Sequence, residues 1–198
     1  MTGETAWPVE LRGVTESVVA TLGPNDLWNM AALGLHAPDK PDEPVTATTW
    51  GNTRTKRNFH RQGGGVVQFT ADPRQFVDSA MTIREEPDPV LPNADAWVEI
   101  EVESIGRGED GGTEWERWEL RPTEAGTVER SRPLTINRGF YAVIDATVAA
   151  SRLDVPAFET DVLLERLAYF EETVEKCGAP REREAFERLS EYSDWREY

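Results

Sequence analysis

The fold is decided by residues 14–36, whose sequence is VTESVVATLGPNDLWNMAALGLH. Val14–Leu22 is rich in β-branched residues and predicts a strand. The residues of Gly23-Pro24-Asn25-Asp26 all favour turns, and Leu27–His36 follows as a second apolar stretch. The pattern therefore predicts a β-hairpin, and with it an antiparallel sheet.

The chain beyond this hairpin predicts further strands and two short helices. Strands are expected at residues 45–50, 66–70, 96–105, 115–120 and 126–132. Helices are expected at residues 53–62, ended by Gly63-Gly64-Gly65, and at residues 73–81. Glu85–Asn93 contains three prolines and predicts an extended loop, and Gly106–Gly112 predicts a turn. The result is a β-dominated α+β fold, with an antiparallel β-barrel up to about residue 135.

The apolar period changes to that of a helix after Pro133. Asn137–Leu153 predicts a helix with Asn137 as its N-cap. Further helices are predicted around Leu163–Val174 and Arg181–Tyr192. The face of the first helix expected to be buried comprises Phe140, Val143, Ile144, Thr147, Val148 and Ser151. We expect a barrel domain at residues 1–135 and a C-terminal helical extension at residues 136–198 packed on the barrel.

The charge balance is strongly acidic. The formal net charge is −16, from 37 acidic and 21 basic residues, and only three of the basic residues are lysines. This composition resembles that of cytoplasmic proteins from extreme halophiles, since a Debye length of about 3 Å at 1 M salt screens self-repulsion. It argues against a nucleic-acid partner, which requires a cationic surface.

Several other classes of protein and site are not expected. No apolar run is long enough to span a membrane, and the N-terminus lacks a signal peptide, so we expect a cytoplasmic protein. Cys177 is the only cysteine, which excludes an internal disulfide and a cysteine-based zinc cluster. His36 and His60 lie at no metal-ligand spacing from an acid, and His60 is expected on an exposed helix surface.

Basic residues concentrate where the third strand passes into the first helix. Arg54, Lys56, Arg57 and Arg61 lie within eight residues. Unpaired N–H groups at a helix N-terminus favour an anion such as phosphate. The alternative is a solvated basic helix face that pairs with nearby acids. The residues alone leave both interpretations open.

The order of several short motifs resembles a known family. The motifs are Gly13–Leu22, Asn29–Gly34, Gly51–Thr55 with Asn58, Gly65–Asp72, and the Asn137-Arg138 start of a helix rich in small residues. Together they resemble the archaeal domain of unknown function 447 family, which is related to the FMN-binding split barrels of flavin reductases. The resemblance extends over residues 11–190. It departs from the usual pattern at Ala32, where the family has proline, and at Gln68, where it has asparagine.

The resemblance implies an FMN-binding split barrel that forms a homodimer, with flavin near the subunit interface. Thr53, Arg54 and Thr55 would bind the FMN phosphate, and Asn29, Ala31 and Trp50 would lie along the ring. For Asn29 and Trp50, an ordinary place in the barrel is an open alternative. The full set of candidate cofactor-binding residues is Asn29, Ala31, Trp50, Gly51, Thr53, Arg54, Thr55, Asn58, Gln68 and Thr70.

Three functional hypotheses follow. The first is a flavin-dependent oxidoreductase of the flavin-reductase type, in which a nicotinamide reductant delivers hydride to FMN without a catalytic side chain. The second is a non-enzymatic protein that binds or carries FMN. The third is a dimeric scaffold of the same fold that has lost flavin, which the changes at Ala32 and Gln68 favour. No catalytic residue and no metal site is predicted.

Overall fold

The computed structural model describes residues 6–40, 43–127, 135–150, 152–153, 155 and 157–198. The chain forms two compact units. The barrel unit comprises Met1–Leu11 and Glu16–Ile136, and the helical unit comprises Arg12–Thr15 and Asn137–Tyr198. The expected domain division at residue 135 stays a prediction.

Strands dominate the barrel unit. Along the whole chain the strands are β1 (Val14–Leu22), β2 (Trp28–His36), β3 (Val45–Trp50), β4 (Gly64–Phe69), β5 (Arg84–Glu86), β6 (Ala96–Asp110), β7 (Thr113–Thr127) and β8 (Ile136–Asn137). Helices α1 (Arg54–Gln62) and α2 (Pro73–Met81) lie between β3 and β5 in the sequence. Neighbouring strands follow the order β2-β3-β7-β6-β4-β1, and β1 pairs again with β2. The result is a closed six-stranded antiparallel barrel that contains the predicted β1–β2 hairpin.

The barrel core consists of one alternating face from each strand. Fully buried side chains include Val19, Leu35, Val67 and Val98. Phe59 of α1 joins the same core and contacts Trp118 edge-on, with 5.2 Å between the ring centroids. Helix α1 is therefore part of the barrel packing rather than a surface attachment.

Three sequence predictions about the barrel strands are wrong in detail. The loop expected from Glu85 is at first a strand, because Arg84–Glu86 forms β5 against β2. The turn expected at Gly106–Gly112 is confined to Gly111 and Gly112, because β6 continues to Asp110 and pairs with an equally long β7. At Gly108, an added Cβ would lie 2.6 Å from the Trp115 ring, so glycine here makes room for a cross-strand tryptophan. The separate strands expected at residues 115–120 and 126–132 are one strand where the structure describes them, because β7 is continuous from Thr113 to Thr127. Residues 128–132 of that prediction lie outside the described residues.

The helical unit contains α3 (Arg138–Ala150), α4 (Thr160–Cys177) and α5 (Pro180–Ser193). Asn137 caps α3, since its Oδ1 accepts a hydrogen bond from the Phe140 amide at 3.0 Å. The predicted buried face of α3 is wrong: Phe140, Ile144 and Val148 are exposed. The buried residues are Gly139, Ala142, Ala146, Ala149 and Ala150, while Ser151 lies outside the described residues. Small side chains permit close helix packing, and this outweighs the burial of larger ones here.

Candidate functional site

The barrel unit contains a cavity of about 510 Å³. Residues 29–33 of β2 and 48–50 of β3 form one side. Residues 52–55 and Arg57, at the start of α1, form a second side. Ser79 and Ala80 of α2, with Thr82 and Ile83 just after it, form a third. Strand β2 brings apolar and small side chains to the cavity, and α1 brings polar ones.

Six of the ten predicted site residues line this cavity: Asn29, Ala31, Trp50, Thr53, Arg54 and Thr55. Asn29 and Thr55 are buried, and Trp50 is half exposed. Gly51 adjoins the cavity in sequence and has a φ of 66°, with no atom within 4 Å of an added Cβ. Glycine at this position serves the left-handed turn that leads into α1.

The N-terminus of α1 has unpaired amides on two residues that line the cavity. Thr53 is the N-cap, and its Oγ1 accepts a hydrogen bond from the Lys56 amide at 3.2 Å. Within the part of the chain that the structure describes, the amides of Arg54 and Thr55 have no hydrogen-bond acceptor. No acidic residue lies in the first turn to neutralise the helix dipole. This end of the cavity therefore favours an anion.

Two guanidinium groups flank the same helix end. Arg54 Nη1 donates a hydrogen bond to Glu85 Oε1 at 2.8 Å, and the Arg54 side chain remains 40% exposed. Arg57 Nη1 donates to the backbone oxygen of Asn52 at 2.8 Å and to its side-chain oxygen at 3.1 Å. Each guanidinium uses one nitrogen in these contacts and retains further donors for a second acceptor.

The other two cations of the predicted cluster are bound elsewhere on α1. Arg61 Nη2 donates to the backbone oxygen of Leu22 at 2.7 Å. Lys56 Nζ lies 3.7 Å from Glu116 Oε2 and is mostly buried. Pairing with nearby acids therefore applies to Lys56 and also to Arg54, whereas Arg61 binds a backbone oxygen. Arg54 and Arg57 are the two cations of the cluster that line the cavity.

Glu116 is a buried carboxylate whose two oxygens are both bound. Its Oε2 accepts a hydrogen bond from His60 Nε2 at 2.9 Å, and its Oε1 accepts from Ser104 Oγ at 2.6 Å and from Arg107 Nε at 2.8 Å. Burial raises the pKa of Glu116, but the hydrogen bonds from Ser104, His60 and Arg107 outweigh it, so the net pKa is lowered and the group is ionised at neutral pH. We call Glu116 with Lys56, His60, Ser104 and Arg107 the Glu116 cluster.

The predicted position of His60 on an exposed surface of α1 is confirmed, and its ring also contacts the barrel. It is partly exposed, as expected, but it is not a simple surface residue. Its ring contacts Trp118 edge-on at 4.9 Å between centroids, in addition to its hydrogen bond with Glu116. The partner was not predictable locally, because Glu116 lies 56 residues further along the chain.

The remaining predicted residues do not line the cavity. Asn58 Nδ2 donates to Thr21 Oγ1 at 3.0 Å, which ties α1 to the end of β1. Gln68 is fully buried, donates to the Pro89 backbone oxygen at 3.0 Å and accepts from the Leu91 amide at 2.8 Å. Thr70 Oγ1 accepts from the Asp72 amide at 3.1 Å. Each has a structural partner within the barrel unit.

Sequence reasoning missed the contribution of α2. Ser79, Ala80, Thr82 and Ile83 line the cavity, and Ile83 is 72% exposed. The small residues Ser79 and Ala80 near the end of α2 were a local indication of a cavity lining, since Ala31 and Ala32 of β2 are also small. Their proximity could not be predicted, because it depends on where α2 lies on the barrel.

Among the described residues, no group of three or more His, Cys, Asp or Glu side chains is arranged to hold a metal ion. Within the same residues, no helix is long and apolar enough to cross a membrane.

Comparison with solved structures identifies similar proteins. An FMN-bound protein from Methanosarcina mazei is 26% identical, with a TM-score of 0.51 over 91% of this chain and 95% of that one. The styrene monooxygenase flavin reductase from Pseudomonas putida S12 is 14% identical, covering 62% of this chain and 84% of that one, with a TM-score of 0.42. Flavoredoxin from Methanosarcina acetivorans is 13% identical, covering 68% and 81%, with a TM-score of 0.44. The two lower scores support no conclusion here.

The likeness to the M. mazei protein confirms the predicted fold class, an antiparallel split barrel followed by C-terminal helices. Two family models match the chain. The model described as "Protein of unknown function (DUF447) N-terminal domain" matches residues 15–129, and that described as "Protein of unknown function (DUF447)" matches residues 137–191. The chain therefore belongs to the DUF447 family, as its sequence motifs predicted.

Proposed function

We propose that this protein binds FMN in the cavity between β2, α1 and α2, and that it is a flavin-dependent oxidoreductase of the flavin-reductase type. One observation carries the proposal. In a chain of net charge −16, the cavity ends at a helix N-terminus with unpaired Arg54 and Thr55 amides and the Arg54 guanidinium. The cavity volume of about 510 Å³ also lies within the range of small-molecule sites.

The residues present fit the phosphate of FMN. The Arg54 and Thr55 amides, the Thr55 hydroxyl and the guanidinium groups of Arg54 and Arg57 form a set of donors at one end of the cavity. Thr53 supports this set as the N-cap. Hydrogen bonds to a charged group contribute about 1.5–3 kcal/mol each, so two or three suffice to anchor a phosphate.

The flavin ring would lie along β2. Ala31 and Ala32 permit close approach, the Asn29 side chain offers a donor and an acceptor, and Trp50 provides a partly exposed aromatic surface. When bound, FMN supplies the redox chemistry. A nicotinamide is the proposed hydride donor, and its reaction requires no protein acid or base. This agrees with the lining, which contains no carboxylate, histidine or cysteine among the described residues.

The FMN-bound protein from Methanosarcina mazei supports the choice of cofactor, because its likeness extends over 91% of this chain. Asn58, Gln68 and Thr70 have supporting roles in the proposal. Asn58 holds α1 to β1, and Gln68 and Thr70 hold the backbone near residues 89–93.

The same lining also suits a protein that binds FMN without turnover, since no side chain in it marks a catalytic step. Titration of FMN into the purified protein in molar KCl, followed by flavin fluorescence, tests binding. Saturable quenching at one FMN per chain is expected, and its absence in a folded sample would refute the proposal. Oxidation of NADH or NADPH by the FMN-loaded protein then distinguishes an oxidoreductase from a carrier.

Three further parts of the proposal rest on composition and resemblance. We propose a cytoplasmic protein of a salt-rich archaeal cell, on the basis of its acidic, lysine-poor sequence. We also propose a homodimer. Sedimentation in molar KCl should show twice the chain mass of 22.3 kDa, and a species of single-chain mass would contradict it.

A further inference from the structure

The Glu116 cluster connects α1 to two strands of the barrel. Glu116 lies on β7 and is fully buried. Its Oε2 faces Lys56 and His60 of α1, and its Oε1 faces Ser104 and Arg107 of β6. A buried carboxylate is unfavourable unless it is paired and hydrogen-bonded, and here every contact is also a link between elements.

The β6 side of the cluster depends on a bulge. Ser104 is opposite Trp118 and Gly106 is opposite Arg117, so Ile105 is an extra residue in β6. In a regular strand, residues three apart point to opposite faces, and the extra residue reverses this relation. Ser104 and Arg107 can therefore both reach Glu116. Bulges change the direction of side chains, and this one directs both Ser104 and Arg107 to the same carboxylate oxygen of Glu116.

The α1 side of the cluster contacts the helix at two points. Lys56 and His60 are four residues apart, so they lie on one face and are separated by about 6 Å along the axis. On another face, Asn58 and Arg61 bind the end of β1 through Thr21 and Leu22. Two contacts on one face and two on another fix the direction of the helix, and not only its position.

Lys56 is the closest of these contacts to the cavity. It lies in the first turn of α1, one residue after Thr55, and its amide also donates to the N-cap Thr53. A shift of Lys56 therefore moves the unpaired Arg54 and Thr55 amides. Sites that depend on such donors lose function when their supporting residues allow displacements of about 1 Å.

We infer that Glu116 is a positioning residue for the phosphate end of the cavity: it holds Lys56 and His60, and so directs the N-terminus of α1 at the bound anion. The inference rests on the proposed function. It assigns Glu116 no contact with the ligand. It also explains why a chain rich in surface acids buries this one.

The test compares FMN with riboflavin, which has the same ring and lacks the phosphate. Glu116→Gln should weaken FMN binding by about fivefold or more, the effect of one misplaced hydrogen bond, and change riboflavin binding less than about twofold. The control is Glu119→Gln, the same substitution three residues along β7 at a carboxylate paired with Arg121. Equal losses for FMN and riboflavin, or no loss for either, would overturn the inference.

A second variant covers the case in which Glu116→Gln does not fold. Lys56→Met removes one contact on α1 and leaves Glu116 bound to His60, Ser104 and Arg107. It should lower FMN binding selectively and to a smaller extent, and a parallel loss of riboflavin binding would count against the inference.

Amide hydrogen exchange of the flavin-free protein separates this inference from the proposed function. Either variant should speed exchange in α1 and leave β4 unchanged. If wild-type protein binds no FMN, the proposed function fails, and the exchange result still decides whether Glu116 holds α1. Unchanged exchange in α1 in both variants would refute that role.

Discussion

Glu116 and Glu85 both bind cations of α1, but Glu116 is buried whereas Glu85 is partly exposed to solvent. Glu116 is fully buried, receives contacts from four side chains and holds one face of α1. Glu85 is 29% exposed and binds Arg54 at the edge of the cavity, with a weak contact from Asn25. The first arrangement fixes the helix, and the second leaves a guanidinium within reach of a ligand.

The comparison shows that neighbouring cations of one helix can have two roles: some hold the helix to the barrel, and others line the cavity. Arg54, Lys56, Arg57 and Arg61 look equivalent in sequence. In the structure, Lys56 and Arg61 are bound to the barrel, whereas Arg54 and Arg57 line the cavity. The cations that hold the helix and those that would bind the ligand can therefore be substituted separately.

The largest effect is expected from removing the buried carboxylate. Glu116→Ala should lower the free energy of unfolding by about 2–3 kcal/mol, because several charge-assisted hydrogen bonds are lost and Ser104 loses its acceptor. Urea denaturation in molar KCl measures it as a lower midpoint at unchanged slope. Glu119→Ala is the matched control, expected within about 0.5 kcal/mol of wild type. Equal midpoints for the two variants would show that the Glu116 cluster does not stabilise the barrel.

The next largest effect is expected on FMN affinity, from removal of the Arg54 guanidinium that lines the cavity. Arg54→Ala should weaken FMN binding by about 10- to 100-fold, the loss of one charge-assisted hydrogen bond of about 1.5–3 kcal/mol, and leave riboflavin binding nearly unchanged. Arg121→Ala is the control, since Arg121 pairs with Glu103 and Glu119 outside the cavity lining. Fluorescence titration with both flavins measures the ratio. Wild-type affinity for FMN in Arg54→Ala would remove Arg54 from the phosphate site.

A third prediction concerns how the stabilisation by Glu116 depends on pH. The pKa of Glu116 is lowered in the folded protein, so its contribution to stability is present above the ordinary glutamate pKa of about 4.3 and is lost as pH falls through the folded value. The difference in unfolding free energy between wild type and Glu116→Gln should therefore shrink as pH falls below about pH 4. A difference that does not change down to pH 3 would mean that Glu116 is not preferentially ionised in the folded state.

The barrel was more predictable from sequence than the helical unit. In β1, β2 and β3, β-branched residues and turn residues act locally, and the predicted and observed bounds differ by one residue at most. In β6 and β7, glycines at 106 and 108 indicated a turn, but cross-strand packing of Trp115 keeps the strands paired. In α3, the apolar pattern indicated burial of the large side chains, whereas packing of the helices selects the alanines. Local patterns predict an element, and tertiary contacts decide which face it buries.

The cavity was predictable where it is built from sequence neighbours. Residues 50–55 lead into α1 and line the cavity together, apart from Gly51. Their residue types left an anion site open beside a solvated basic helix face, and the family resemblance favoured the site. Glu85, Glu116 and α2 were not predictable as parts of this region. Glu85 lies 31 residues from Arg54, and Glu116 lies 56 residues from His60, so only the tertiary arrangement of β5, β7 and α1 brings each pair together. A pairing that depends on strand order leaves no local pattern.

The smallest predicted effect tests how Glu85 acts on Arg54. Its carboxylate uses Arg54 Nη1 and places a negative charge close to the proposed phosphate. Glu85→Gln should therefore tighten FMN binding about two- to fivefold at low salt, and less at 1 M KCl, because an exposed pair contributes under about 1 kcal/mol and is screened. Glu86→Gln, at the neighbouring carboxylate that pairs with Arg84, should have no effect.

The direction of this change is decisive, because a carboxylate beside an arginine can also orient it. If Glu85→Gln weakens FMN binding at both salt concentrations, Glu85 holds Arg54 in place for the phosphate, as Glu116 holds α1. The two carboxylates would then act alike despite their different exposure. If binding tightens and the gain falls with salt, Glu85 competes with the ligand, and the contrast between the buried and the exposed pair is one of function as well as position.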